Sequence, residues 1–334
     1  MTLTRRSLGL HALLVAGLSA AGLPSFALAQ SAEPVTFRYL SSQGGVSPHE
    51  LAEELGYYEG LGVKLENLGY AQGGPASLFA LASGSADVGS AATAAVINSI
   101  AGGNDFVAAY PSNGIDEQVQ SIFYVLEDSP IKSIADIAGK SIAVNTLGAH
   151  LDYTVREALH QAGLPQNAAN LIVVPGPQLE QTLRSNQVDI AAVGYWQSTF
   201  NGALLANGGV RAVFDDTDVL GEIAGGFIVL RRDFVEAHPE AVRNFVEQAA
   251  RAADWARENP EEMRKVLAGI LEKRGENAEL AQYWTGFGVR PGAEATERDL
   301  GFWIDVLERE GSLPKGRLKA ADLLYQPAGA TKTN

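Results

Sequence analysis

The chain of 334 residues contains no cysteine and only two methionines, one of them the initiator. Without cysteine the protein can form no disulfide, thiolate nucleophile, cysteine-ligated zinc site or iron–sulfur cluster. Positive charge is scarce as well, since 25 Lys and Arg stand against 39 Asp and Glu and the formal net charge is −14. Nucleic acids and anionic lipid surfaces are bound through clustered positive charge, so we expect neither as a partner.

The sequence nevertheless has enough apolar residues for a folded core. Hydrophobic residues make up 46% and charged residues 19% of the chain, which are ordinary values for globular proteins. The length accommodates one large domain or two domains of moderate size.

Residues 1–29 have the three parts of a removable export signal. Two arginines near the start precede a short apolar stretch at residues 8–23, and Ala27-Leu28-Ala29 forms a small-x-small cleavage site. An uncleaved transmembrane anchor is the alternative, but the run is short and polar residues and Pro24 interrupt it. We therefore expect an exported protein that begins at Gln30, and the Sec and twin-arginine routes both remain open.

From Val35 onward, short apolar runs alternate with helical patterns, which is typical of an α/β fold with a mostly parallel sheet. The pattern predicts strands at 35–40, 63–68, 87–89, 106–110, 121–125, 141–144, 172–174, 190–193, 210–214 and 227–230. After Leu230 only helical patterns follow. Helix ends are marked by a capping box at Ser47–Glu50, by Gly74-Pro75, and by C-terminal glycines. These glycines are Gly84, Gly102, Gly163 and Gly208.

One pattern occurs twice. Residues 81–88 and 183–190 share the pattern L-x-S-x-x-x-D-[VI], in which a helix end and a turn lead through Asp into a buried strand. Any α/β protein repeats such junctions, and the interpretation that we prefer is two similar α/β lobes. Ligand is then expected in the crevice at the carboxyl ends of the strands.

Six loops at these strand ends are rich in Ser, Thr, Gln and Gly, and none contains Lys or Arg. They are residues 41–45, 70–74, 89–93, 145–150, 175–177 and 194–197. Most run directly into a helix, so free N–H groups and the positive end of the helix dipole would point into the cleft. The composition favours a singly charged anion bound by neutral donors. Tyr70, Tyr195 and Trp196 add aromatic surface for an organic substituent, although each Ser or Thr would serve equally well as a helix cap.

No catalytic motif is present. The sequence lacks a G-x-S-x-G elbow, a P-loop, an H-E-x-x-H pair and a complete G-x-G-x-x-G. The histidines after residue 29 have no metal-binding spacing. His150 alone starts a candidate cleft helix, where it could donate to an anion or serve as a cap. We predict no catalytic residue, no cofactor and no metal.

Several segments resemble the substrate-binding proteins of ABC importers for alkanesulfonates, taurine and nitrate, together with their pyrimidine-precursor-binding relatives. These segments are residues 55–63, 81–103, 131–140, 158–164, 188–192, 238–242 and 252–255. The resemblance runs from about residue 35 to 325. It implies the type II periplasmic binding protein fold, with two lobes that close over a ligand like a Venus flytrap. An enzyme on this fold is the competing interpretation, but the pyrimidine-synthesising relatives use a Cys-rich motif that is absent here.

The resemblance also implies the domain limits and the partners. The first lobe would be residues 35–116 plus 227–325, the second 119–224, and residues 326–334 a tail. Two crossing strands would form the hinge, at which Gly225 and Gly226 could absorb rotation or admit ligand close to the chain. We expect a periplasmic monomer that captures a small organic anion and delivers it to an inner-membrane ABC permease.

Ligand contacts carried over by position are Ser42, Gln43, Gln72, Gly73, Ser90, Ala91, Thr146, Gly148, His150, Tyr195, Trp196 and Gln197. An aliphatic sulfonate, taurine or a sulfate ester is the expected ligand. Nitrate or bicarbonate, an aromatic carboxylate and a pyrimidine-type precursor stay open as alternatives. Beyond the initiator, the only sulfur atom of the chain is in Met263. This low sulfur content suits a protein that is made when sulfur is limiting. An oxidising compartment would explain the absence of Cys, but it would not explain the low number of Met.

Overall fold

A computed structural model describes residues 33–327. The export signal predicted at residues 1–29 and residues 328–334 of the predicted tail lie outside the described residues. Residues 33–327 contain ten strands, and each overlaps a predicted one. Their bounds are β1 (Val35–Ser41), β2 (Val63–Tyr70), β3 (Val88–Ala92), β4 (Phe106–Ile115), β5 (Ile122–Leu126), β6 (Ser141–Val144), β7 (Asn170–Val173), β8 (Ile190–Val193), β9 (Val210–Asp215) and β10 (Ile223–Arg231).

The strands form two groups with the same internal order. One group contains the pair β2-β1 and the sheet β3-β10-β4, and the other is the single sheet β7-β6-β8-β5-β9. β1 pairs with β2, and β6 with β7 and β8, in parallel. β10 and β5 run antiparallel to both of their neighbours. The sheets are therefore mixed, and the prediction of a mostly parallel sheet is wrong at these two strands, because each enters its sheet from the other group.

Helices cover both groups of strands. Their bounds are α1 (Pro48–Glu54), α2 (Gly74–Ala82), α3 (Thr93–Ala101), α4 (His150–Gln161), α5 (Leu179–Arg184), α6 (Ser198–Ala206), α7 (Asp216–Leu220), α8 (Arg232–Ala237), α9 (Pro239–Glu258), α10 (Pro260–Lys273), α11 (Glu297–Arg309) and α12 (Ala320–Leu323). Gly84, Gly163 and Gly208 adopt the left-handed conformation expected after a helix. Gly102 does not, since its φ is −71°, and Gly103 adopts a positive φ instead.

We call β1–β4 and β10, with α1–α3 and α8–α12, the first lobe, and β5–β9, with α4–α7, the second lobe. One apolar core runs through both lobes. At their junction the fully buried Trp303 of α11 lies edge-on to His150 and Tyr153 of α4, at 5.9 and 6.2 Å between ring centroids. Among the described helices, none is long and apolar enough to cross a membrane.

The repeated sequence pattern corresponds to one structural unit in each lobe. In the first lobe, the Asp87 N–H donates to the Arg38 carbonyl, and the Arg38 N–H donates back to the Asp87 carboxylate at 3.1 Å. In the second lobe, Asp189 and Ser141 form the same reciprocal pair, at 2.8 Å to the carboxylate. Each Asp thus ties the start of its own strand to the neighbouring strand, which favours the interpretation of two similar lobes over a chance repeat.

Asp87 differs from Asp189 in burial, and this difference predicts unequal contributions to stability. Asp87 is buried and also accepts hydrogen bonds from the Arg38 guanidinium at 2.7 and 2.9 Å. We expect Asp87→Ala to lower the free energy of unfolding by about 2 kcal/mol, because charge-assisted hydrogen bonds to a buried carboxylate are lost. The matched variant Asp189→Ala removes an exposed carboxylate and should cost roughly 0.5–1 kcal/mol. Urea titration measures both values.

The pH dependence of the free energy of unfolding provides the control for the Asp87→Ala variant. Burial raises the pKa of Asp87, but hydrogen bonds from Arg38 outweigh it and leave the pKa below its usual value. The stabilisation is therefore present at neutral pH and is lost as pH falls through the folded-state pKa. The difference between wild type and Asp87→Ala should shrink between about pH 7 and about pH 3. A constant difference over that interval would contradict this assignment.

Candidate ligand-binding site

A cavity of about 90 Å³ lies between the lobes, at the ends of the parallel strands. Loops after β1, β2 and β3 contribute from the first lobe, loops after β6 and β8 contribute from the second, and the segment 284–287 closes one side. A single buried water needs about 10–15 Å³, so the space suits a small ligand. None of the described residues that line the cavity carries a charged side chain, as the loop composition predicts.

Several polar side chains of the cavity wall have no partner among the described residues, whereas the Oγ atom of Ser77 accepts the Ser90 N–H at 2.9 Å. Among the described residues, the side chains of Ser42, Ser90, Ser112, Asn113, Asn145 and Ser198 line the cavity without a hydrogen bond to another protein group. The Oδ1 atom of Asn145 is completely buried in this state. Because buried polar groups in proteins are almost always hydrogen-bonded, this wall is complementary to a polar ligand.

Helix N-termini add backbone donors. α2 begins at Gly74, α3 begins directly after Ala92, and α4 begins directly after Ala149; all three residues contact the cavity. The first N–H groups of a helix lack intrahelical partners, and the helix dipole makes this end positive. A Cβ atom at Gly74 would lie 2.8 Å from the Cβ of Ala91, so only glycine lets α2 approach β3 this closely.

Tyr195 crosses from the second lobe to the first. Its N–H donates to Ser121 Oγ at 3.0 Å, and its ring packs on β10, where a Cβ at Gly225 would lie 2.6 Å from it. A Cβ at Gly226 would lie 3.0 Å from the Tyr195 hydroxyl. The two glycines therefore make room for this side chain, whereas their predicted role as a hinge stays a prediction. Burial raises the pKa of Tyr195 well above its usual value, so the hydroxyl stays a neutral donor.

The loop after β1 is held in place by a charged brace behind the cavity. Arg274 pairs with the buried Glu50 and donates to the Gly45 carbonyl at 2.8 Å. The Gly44 N–H donates to Glu276 at 2.5 Å, and Glu50 accepts from Ser41 at 2.6 Å. No local sequence pattern indicates these contacts, because Arg274 and Glu276 lie more than 220 residues from the loop. The charges support the cavity loop without lining the cavity.

A family model described as NMT1/THI5 like matches residues 45–263, which is well over half of the chain. The chain belongs to the NMT1/THI5-like family. A Brucella abortus protein named as a candidate binding protein is 28% identical over 268 residues, which cover 80% of each chain. An Escherichia coli K12 protein named as a candidate aliphatic sulfonate-binding protein is 28% identical over 198 residues, which cover 59% of this chain and 60% of that one.

The fold is also similar to that of the periplasmic aliphatic sulfonate-binding protein SsuA from Escherichia coli. Its crystal structure matches with a TM-score of 0.71 at 22% identity and covers 90% of this chain and 96% of SsuA. The family resemblance and the two-lobed periplasmic binding protein fold inferred from the sequence are thereby confirmed.

Half of the twelve contacts that the family resemblance predicted line the cavity. They are Ser42, Gly73, Ser90, Ala91, Tyr195 and Trp196. The others lie outside its lining: Gln43, Gln72, Thr146, Gly148, His150 and Gln197. Gln43 and Gln72 are exposed to solvent. Gln197 is buried, and its Oε1 atom accepts the Gly194 N–H at 3.2 Å, so its amide oxygen is used within its own turn.

His150 does not face the cavity, contrary to the expectation that it could donate to an anion. Its ring is fully buried beneath Tyr195, at 4.9 Å between ring centroids. Its Nε2 atom lies 2.7 Å from Asp216, and Asp216 also accepts the Ser121 N–H at 2.8 Å. His150 therefore belongs to the network that supports the Tyr195 turn. No sequence pattern indicates this pair, whose members are 66 positions apart.

Several lining residues of this NMT1/THI5-like chain were not predicted. Ser112 and Asn113 come from β4, whose length was underestimated, and Asn145 and Ser198 flank predicted contacts. Trp284, Gly286 and Phe287 come from the irregular segment after α10. That segment follows no buried strand, so the strand-end argument could not find it.

The ion pair between Arg274 and Glu50 leads to a testable prediction. Arg274→Met should lower the free energy of unfolding by about 3–5 kcal/mol, because it leaves the Glu50 carboxylate buried without a counter-charge. The double variant Glu50→Gln with Arg274→Met removes both charges and should recover a substantial part of that loss. Chemical denaturation of the single and double variants measures the coupling. Strictly additive losses would show that the two residues do not act as a pair.

Proposed function

We propose that the protein is the periplasmic solute-binding component of an ABC importer and that it captures a small, singly charged organic oxyanion, most favourably a short aliphatic sulfonate. The observation that carries this proposal is a cavity wall of hydroxyls, amides and helix N-termini, to which no charged side chain of residues 33–327 contributes. Neutral donors suit one delocalised negative charge, whereas a dianion such as sulfate would call for guanidinium or ammonium partners. The family and the fold support the role of a binding protein.

The cavity wall also discriminates among the sulfur-containing candidates. Taurine carries an ammonium group, and a buried ammonium needs a carboxylate partner. No carboxylate is among the described lining residues. The wall therefore favours a plain alkanesulfonate or a sulfate ester over taurine. Nitrate or bicarbonate is less suitable, because neither would cover the apolar faces of Trp196, Trp284 and Phe287.

A catalytic role is not supported by the same wall. The described lining contains no His, Asp, Glu or Lys to act as a general base or acid. Its hydroxyls have no hydrogen bond to a base that would activate a nucleophile. We therefore propose binding without chemical conversion.

We further propose that residues 35–116 plus 227–325 and residues 119–224 move as two bodies that close over the ligand. Contacts across the cleft support this. Thr199 of the second lobe donates to the Gly44 carbonyl at 2.8 Å, and a Cβ at Gly202 would lie 2.3 Å from Tyr283. A ligand that contacts both lobes adds its binding energy to the closed state only. The closed protein would then be the form recognised by a membrane permease.

A ligand panel tests the proposal. In thermal unfolding of residues 30–334, 1-propanesulfonate at about 100 times its Kd should add about 2.7 kcal/mol of stability. This corresponds to a rise in Tm of several degrees. Sulfate and taurine at the same concentration should produce no comparable rise. A rise with nitrate or with a pyrimidine, and none with any sulfonate or sulfate ester, would contradict the choice of ligand.

Asn145 offers a sharper test of the neutral wall. Asn145→Asp keeps the shape of the side chain but places a negative charge beside the bound anion, so affinity for 1-propanesulfonate should fall at least about a hundredfold. The control Asn145→Ala removes the amide without adding charge and should cost about tenfold. Asn145→Asp should also raise affinity for taurine, because its ammonium gains a partner. Titration calorimetry measures each value, and equal losses in both variants would contradict the electrostatic argument.

A further inference from the structure

A second groove lies directly behind one wall of the cavity. It has a volume of about 170 Å³ and lies between the segment 284–289, the start of α10 and the chain that follows β4. Trp284, Gly286 and Phe287 contact both spaces. The same three residues therefore separate the anion cavity from the groove.

The two aromatic side chains fill this partition. Trp284 is 5% exposed and Phe287 4% exposed, and their rings pack edge to face at 5.4 Å between centroids. Glycine at 286 leaves the space between them without a side chain. One indole ring and one phenyl ring thus line both the cavity and the groove, and we expect that truncating one of them would join the two spaces.

The backbone of the partition is fixed independently of these rings. Arg264 donates to the Trp284 carbonyl at 3.2 Å, and the Gly114 N–H donates to the Phe287 carbonyl at 2.8 Å. A Cβ at Gly114 would lie 1.7 Å from the Gly288 carbonyl oxygen, so the two chains are in direct backbone contact. A shorter side chain at 284 should therefore leave an opening, because the backbone is held on both sides.

The groove has the surface that an alkyl chain requires. Val119, Ala253, Ala256 and Pro260 contribute apolar surface, and the polar residues that also line the groove are Asp116, Gln118, Thr285 and Arg257. Arg257 donates to the Val289 carbonyl at 3.1 Å. Trp284 and Phe287 belong to the apolar part of the cavity wall, so they form a surface that the organic substituent of an oxyanion would contact. In the present structure the rings of Trp284 and Phe287 stop such a chain.

We propose that Trp284 is the specificity-determining residue that limits the length of the ligand's organic substituent, and that the groove behind it is the space closed to longer chains. This inference rests on the proposed function, since it concerns the ligand of the same cavity. The protein should accordingly select short alkanesulfonates over long ones.

The test compares Trp284→Ala with wild type by titration calorimetry, using ethanesulfonate, 1-butanesulfonate and 1-octanesulfonate. Wild type should bind the two shorter ligands and bind octanesulfonate much more weakly. In Trp284→Ala, affinity should increase with chain length, by about fourfold for each methylene that enters the groove. Trp255→Ala, which truncates a partly buried tryptophan of α9 outside the cavity lining, should keep the preference of wild type.

Two further results distinguish a wrong ligand class from a wrong role of Trp284. If wild type binds none of the three sulfonates, the proposed ligand class is wrong. If wild type binds them but Trp284→Ala keeps the wild-type chain-length preference, the role of Trp284 is wrong while the proposed function stands. Trp284→Phe removes less volume and keeps an aromatic ring in the core, so it provides the same comparison should Trp284→Ala fail to fold. A wild-type preference in a folded Trp284→Phe protein would then overturn the proposal.

Discussion

An anion that leaves water must exchange its hydration shell for donors that the protein holds in place, and the organisation of this cavity follows from that requirement. Charged partners are absent from the described lining, so the donors are hydroxyls, side-chain amides and the first N–H groups of helices. Such donors come from both lobes: Ser42 and Ser90 from the first, Asn145 and Ser198 from the second. Since neither lobe alone carries the complete set, the proposed ligand links its own desolvation to closure of the cleft.

The two lobes contact each other on two sides of the cleft, through contacts of different kinds. On one side the lobes share a single apolar core, in which Trp303 is fully buried against α4. On the other side they meet through the backbone at Gly44 and the close approach of Gly202 to Tyr283. A shared core resists separation because its apolar surface would become exposed. On the glycine side of the cleft, an aromatic ring of each lobe packs on a glycine of the other lobe, Phe200 on Gly44 and Tyr283 on Gly202.

The sequence predicts most of the framework and about half of the site, for physical reasons. Buried strands such as β6 and β8 leave a strong apolar pattern, and their ends place Tyr195 and Trp196 at the cavity. Long-range pairs leave no such pattern. His150 is turned away from the cavity by Asp216, and the loop at Gly44 is fixed by Glu276.

The direction of the strands and the partition behind the cavity are even harder to predict from the sequence. β5 and β10 look like any buried strand in sequence, and only the crossing between lobes makes them antiparallel. Trp284 and Phe287 lie in an irregular segment after a helix, where aromatic residues ordinarily indicate core packing. A crystal structure of residues 30–334 with 1-propanesulfonate would show directly whether neutral donors hold the anion. We expect sulfonate oxygens within hydrogen-bond distance of Asn145 and the cavity serines, with no Lys or Arg in contact. An anion bound elsewhere by arginine or lysine, with the cavity empty at a saturating concentration, would contradict this expectation.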